Sequence, residues 1–218
     1  MNSQMRWIGL LLVGLIGIVG CYDPTSNSVD AGGAAAKSET EVEIGSGDLV
    51  FKLDGNNCDL KWTGSNSAGM TPYGYFYELE GQVVLDGKSR KVKQFEVTID
   101  MPSVKAMNES LTEKLKNQGF FEVEKYPTAR FVSTSISEGP REGDPEGTTD
   151  VIEGNFQLRD VTKSISFPVV VSLNGDSLTV SSEFKLNRKD FGVVYSNSVE
   201  DALIRDDVLI NLDIEAEK

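Results

Sequence analysis

From Asp48 onward the chain alternates apolar and polar residues with a period of two, the signature of strands that bury one face. The clearest run sets Phe95, Val97, Ile99 and Met101 against Gln94, Glu96, Thr98 and Asp100, and Pro102 ends it. Leu49 to Leu53 predicts a first strand. Cys58, Leu60 and Trp62 then alternate with Asp59, Lys61 and Thr63, which turns Cys58 inward as an inert thiol. A long strand is expected over Tyr73 to Asp86, with Gly81 as a bulge or bend within it. The β-branched and aromatic stretch Thr128 to Ile136 predicts another. Four more follow at Val151 to Arg159, Ser164 to Leu173, Leu178 to Leu186 and Val208 to Ala216. Asp86-Gly87 and Asn174-Gly175 read as hairpin turns.

One segment breaks the period. Asn108 to Asn117 predicts a short helix, with Asn108 or Ser110 as its cap, Leu111 and Leu115 on one face, and Gly119 at its C-terminal end. Phe120 and Phe121 follow and are expected to seat that helix on the sheet. Pro127 then forces the chain back into an extended path. Gly64 to Gly74 and Glu138 to Asp150 read as loops; Asp144, Glu146 and Asp150 in the second lack calcium-loop spacing, so no metal site is assigned.

Eight or nine short-connected strands with one short helix predict an all-β fold, an antiparallel eight-stranded barrel. Closure removes exposed sheet edges, and a barrel of eight strands has room for one small ligand. The polar alternate faces carry charges, which separates this barrel from a membrane-spanning one.

The N-terminus has a different texture. Arg6 precedes an apolar run from Trp7 to Val19, shorter than the roughly 20 residues that span a bilayer. Residues 1–20 therefore read as a signal peptide. Ile18-Val19-Gly20-Cys21 resembles the lipobox of bacterial lipoproteins, which would cut before Cys21 and load its thiol with diacylglycerol. Residues 21–47 then form a lipidated cysteine and flexible tether, and 48–218 the barrel domain. Tyr22 to Ser46 is small and polar, too poor in apolar surface to offset its own ordering.

Charge narrows the function. Among 218 residues, 21 Lys and Arg face 34 Asp and Glu, a net charge of −13. Nucleic acid is an unsuitable partner for such a surface. The chain has no histidine, which removes imidazole as base, triad member or metal ligand. The acids Asp206 and Asp207 are adjacent, so on a strand they point to opposite faces. Neither an enzyme nor a cofactor is expected.

Three separated motifs carry a family resemblance: Phe120 to Phe131 (FFEVEKYPTARF), Gly154 to Lys163 (GNFQLRDVTK) and Asn187 to Gly192 (NRKDFG). With Phe95 to Asp100 before them, they resemble the YceI-like family in the same order. The resemblance implies an extended lipocalin-like barrel, in an envelope protein, holding a polyisoprenoid or other amphiphile in an apolar channel. It also departs from the family at Gly69 to Phe76, where no histidine stands.

Two readings follow. In the first, a lipid-anchored module binds an isoprenoid or similar lipid at the cell envelope, periplasm-facing or on the surface. Its channel residues would be Trp62, Phe95, Val97, Ile99, Phe131, Phe156, Leu158, Phe167, Val169, Phe184 and Ile210. Arg130, Arg159 and Arg188 would meet an anionic head group, or else form structural ion pairs. In the second, the barrel is packed solid and serves as a scaffold. Homodimerisation is left open by either.

Overall fold

The computed structural model describes residues 23–25, 28–39, 41–195 and 198–218. The signal peptide and Cys21 lie outside those residues. Two short strands come first, β1 (Val29–Asp30) and β2 (Ala34–Ala35). Then follow β3 (Leu49–Asp54), β4 (Cys58–Thr63), β5 (Tyr73–Phe76), β6 (Leu79–Leu85), β7 (Val92–Asp100) and β8 (Val104–Ala106). A helix, α1 (Glu109–Lys116), separates these from β9 (Thr128–Glu138), β10 (Asp150–Leu158), β11 (Val161–Asn174) and β12 (Ser177–Asn187). A single turn of helix, α2 (Ser198–Asp201), precedes β13 (Asp207–Glu217).

The sheet runs β3-β6-β7-β9-β10-β11-β12-β13-β4-β5-β8, with antiparallel neighbours throughout. Its expected eight strands are recovered once three bends are read through. Asp54 pairs with Glu80 on one side of a bend and Leu60 with Phe76 on the other, so β3 and β4 form one long strand against β6 and β5. Leu79 pairs with Ile99 and Phe76 with Val104, so β7 and β8 form another. With β9 to β13 that makes eight, and because β13 pairs with β4 the order returns on itself.

The bend in the second long strand falls at Tyr77 and Glu78, not at Gly81. Pro102 opens a 3-10 turn over Met101–Ser103, and Ser103 Oγ accepts from the Tyr77 N–H at 3.2 Å, so both strands kink at one level. Gly81 lies inside β6 for a different reason. A Cβ there would stand 2.2 Å from the Glu96 carbonyl oxygen of β7, a contact only glycine avoids.

The flexible tether needs correction over residues 28–39. β11 and β12 are paired only from Val170 to Asn174 and Ser177 to Ser181, and beyond that they splay apart. The N-terminal segment fills the seam. β1 pairs parallel to β12 at Phe184, and β2 antiparallel to β11 at Ser164. Ala31, buried between them, donates to the Lys185 carbonyl at 3.0 Å and accepts from the Ser166 N–H at 2.9 Å. Lys37 donates its N–H to Asn155 Oδ1 at 2.8 Å, and Lys37 Nζ meets Glu153 at 2.6 Å. Open strand edges supply unpaired N–H and C=O groups, and a small-residue segment can approach closely enough to satisfy them.

The helix starts where expected. Asn108 caps α1 by accepting from the Leu111 N–H, and Leu115 is buried beneath it. No helix among the described residues is long and apolar enough to cross a membrane.

Candidate functional site: an apolar cavity in the barrel

The inward faces of the strands do not fill the barrel axis. They enclose a cavity of about 910 Å³, within the range of sites that hold small molecules. Every predicted channel residue except Val169 stands on its wall. Trp62 comes from β4, Phe95, Val97 and Ile99 from β7, Phe131 from β9, Phe156 and Leu158 from β10, Phe167 from β11, Phe184 from β12 and Ile210 from β13. Val169 is fully buried but packs into the core away from the cavity. The sheet alternation puts both sets inward; only position along the strand separates wall from core.

Four of the wall rings form a continuous ladder. Phe95 meets Phe131 at 5.7 Å between centroids, Phe131 meets Phe167 at 5.3 Å, and Phe167 stacks on Phe184 at 4.4 Å and 12°. Such aromatic pairs add specific geometry to burial. The result is a smooth, rigid wall suited to an extended apolar chain.

The mouth is built by segments that show no period of two. α1 contributes Leu111, Lys114 and Leu115; the loop 64–72 contributes Ser65 and Met70; residues 193–205 contribute Val193, Tyr195, Leu203 and Ile204. Phe121, whose N–H donates to the Leu115 carbonyl at the end of α1, is the ring that meets the sheet, and both phenylalanines face the cavity. Phe121 packs on Phe76 at 5.9 Å and Phe120 on Tyr195 at 5.1 Å. The strand pattern could have added Leu60, Leu186 and Leu212, which share the inward face. Phe191, in a 3-10 turn, and Ile204, in a loop, carried no periodic signal.

The arginines are spent on the protein itself. Arg130 points outward, as the alternation between inward Ala129 and Phe131 requires, and pairs with Glu39 at 3.1 Å. Arg159 lies off the cavity, bonded to Glu122 at 2.8 Å and to the Gly192 carbonyl at 2.7 Å. Arg188 does reach the wall, but Asp201 holds it at 2.6 Å, Asp206 at 3.2 Å, and the Val193 carbonyl at 2.8 Å. That hydrogen bond from Arg188, with a second from the Tyr195 N–H, holds the Asp201 carboxyl below the usual carboxylate range despite its burial. Arg188 thus ties Val193 to Asp201, Ile204, Arg205 and Asp206 beside the cavity. None of the three is a free cation waiting for a phosphate.

Cys58 is buried on the cavity wall. Burial first, and the acids Asp59, Asp213 and Asp54 second, push its thiol up to about 12. That is the opposite of an activated cysteine. The Trp62 Nε1 and Ser65 Oγ atoms, on two wall residues, are buried without a hydrogen-bond partner. Among the described residues, no cluster of three or more Cys, Asp and Glu is arranged to hold a metal ion.

This architecture has known counterparts. Protein YceI of Salmonella arizonae is 30% identical over 127 residues, 56% of this chain and 63% of that protein, so the match spans less than two thirds of the relative. BcnA of Burkholderia cenocepacia has a similar fold, with a TM-score of 0.65 at 20% identity, over 75% of this chain and 99% of that one. A polyisoprenoid binding domain from Saccharophagus degradans, implicated in plant cell wall breakdown, gives 0.57 at 14% identity, over 78% of this chain and 98% of that one. The YCEI protein of Campylobacter jejuni gives 0.56 at 24% identity, over 66% and 84%. At these identities the structural likenesses establish fold alone. The YceI-like domain model matches residues 51–216, nearly the whole barrel, and the chain belongs to that family.

Proposed function

We propose that this chain is a lipid-binding module, anchored to the cell envelope through Cys21, that holds an isoprenoid or similar amphiphile in its barrel cavity. The observation that carries the proposal is the cavity itself, about 910 Å³ and walled by the Phe95-Phe131-Phe167-Phe184 ladder. Each buried methylene contributes roughly 0.8 kcal/mol, so a long chain binds there without specific polar contacts. The likeness to the polyisoprenoid binding domain of Saccharophagus degradans supports the same class of ligand.

The role is binding rather than catalysis. The sequence supplies no histidine. Asp201 and Asp206 are paired with Arg188, which stands on the cavity wall. A solidly packed scaffold is disfavoured by the open volume. The test is to purify the full chain from its native cells and analyse the extracted lipid by mass spectrometry. A stoichiometric amphiphile supports carriage. A lipid-free protein that also fails to take up added prenyl alcohols removes it.

A further inference from the structure

Three exposed apolar side chains from three separate segments line the cavity where it opens to solvent. Met70, Met107 and Leu203 are 63%, 57% and 54% exposed, yet each belongs to the cavity wall. Main-chain hydrogen bonds hold their segments in place. Asn66 donates to the Met70 carbonyl at 3.1 Å, Met107 to the Tyr73 carbonyl at 3.0 Å, and Ser67 to the Leu203 carbonyl at 2.9 Å. Single exposed apolar residues are ordinary, but a cluster around an apolar opening marks a contact surface. Lys61 and Lys114 share that wall, their ammonium groups over the rings of Tyr73 and Tyr195 at 5.4 and 5.9 Å.

The chain's own path says what covers this surface. Asp23 pairs with Arg205 at 2.9 Å, and Arg205 is a residue of the cavity wall. Pro24 sits in a shallow outer groove with Thr71, which also lines the cavity. Cys21 is only two residues before Asp23, a reach of about 7 Å in an extended chain. A lipid on Cys21 would therefore be tied to within that reach of Asp23 and its partner Arg205.

We infer that the cavity mouth faces the bilayer, with Met70, Met107 and Leu203 among the lipid head groups and upper acyl carbons. Lys61 and Lys114 then lie at the level of lipid phosphates, with their stems on the apolar rim. The acyl chains of Cys21 enter the same leaflet beside Arg205. The inference rests on the lipid-anchored reading above and deepens it: a hydrocarbon chain passes between membrane and cavity without crossing water. Net charge makes orientation matter, because the −13 chain as a whole is repelled by anionic lipid and only a chosen face can approach.

The test uses the full chain, expressed in a bacterial host that processes lipoproteins and reconstituted in phosphatidylethanolamine–phosphatidylglycerol vesicles. An environment-sensitive fluorophore is attached at Leu203→Cys or, at the opposite end of β12, at Asp176→Cys; buried Cys58 does not compete for the label. Lipids brominated near the head group serve as quenchers. The expected result is several-fold stronger quenching at position 203 than at 176, lost in the Met70→Asp/Met107→Asp background while the chain stays on the vesicle. Equal quenching at both positions, or stronger quenching at 176, overturns the orientation. A blue-shifted but unquenched label at 203 also overturns it, since the rim would then be covered by the chain's own acyl group or by a second copy. Intact mass reads the anchor separately. A chain without lipid on Cys21 removes anchoring alone, and its rim is read by adding the same vesicles at low salt, where absence of quenching at 203 overturns the orientation. Rim quenching by a chain that carries no extractable lipid supports the orientation and counts against carriage.

Discussion

The Phe131 ring reaches diagonally from β9 over Gly154 of β10, so closely that a Cβ on Gly154 would stand 2.5 Å from Phe131 Cζ. The missing side chain is what lets the Phe131 ring lie over β10 and reach Phe167 on β11, at 5.3 Å between centroids. The ladder that lines the cavity depends on this gap in the middle of a strand. A glycine that weakens β10 as a strand is thus what makes its inner surface continuous.

Replacing Gly154 by alanine should therefore destabilise the barrel by about 1–3 kcal/mol, the range for forcing atoms into a packed site. The added methyl also meets the Val132 carbonyl oxygen at 2.3 Å, which is backbone and cannot swing away. In a Phe131→Ala background, itself destabilised by loss of the buried ring, Gly154→Ala should therefore cost less than in the parent, but not nothing. Urea unfolding of both single variants and the double variant measures this.

The period of two made most of the cavity wall legible, because Phe95, Val97 and Ile99, or Phe156 and Leu158, can only share a face. Arg130 was legible by the same rule and points outward between Ala129 and Phe131. The roles of Arg159 and Arg188 were not. The partners of Arg188, Asp201 and Asp206, arrive from a loop whose path no local pattern dictates, and Arg159 sits at a turn with a positive φ of 57°. The seam between β11 and β12 was also hidden. Its filler, from Val29 to Ala35, is mostly glycine and alanine, and its composition is that of a linker until two splayed edges give its backbone partners.

Cys58 should resist thiol reagents in the folded protein at pH 8 and react at an ordinary rate once unfolded. Its thiol, pushed up to about 12 from 9.0, favours the protonated form in the fold. The sign for stability follows: the contribution is complete below pH 9.0 and falls as pH rises toward 12. Following the reaction of Cys58 with an aromatic disulfide, with and without urea, checks the first point. Comparing Cys58→Ala with the parent between these pH values checks the second, since the variant should lose less stability.

The Arg188–Asp201 pair should be one of the costliest to break. Both side chains are nearly sequestered, 5% and 10% exposed, so Asp201→Asn leaves a buried guanidinium short of its closest counter-charge. Removing one partner of a buried pair costs about 3–5 kcal/mol. The depressed Asp201 carboxyl gives the pH dependence: its stabilisation is full above the ordinary carboxylate value of 3.8 and is lost as pH falls through the lower folded value. The parent and Asp201→Asn should thus differ most near neutrality and converge in strong acid. Unfolding midpoints across that range are the measurement.

Filling the cavity should separate ligand capacity from stability. Ile99 is buried on the cavity wall, whereas Ile152 is buried in the core away from it. The same substitution to phenylalanine therefore meets different surroundings. At Ile152 the larger side chain has close-packed neighbours and should cost about 1–3 kcal/mol. At Ile99 it projects into open volume next to Ala129, its cross-strand partner, and should leave the unfolding midpoint nearly unchanged. Bound lipid should respond in the opposite order, falling several-fold in Ile99→Phe and little in any Ile152→Phe protein that folds. Lipid extraction and urea unfolding of the two variants side by side give both readouts. If Ile99→Phe retains full lipid content, the ligand does not occupy the volume beside β7, and the binding site must be sought nearer the mouth.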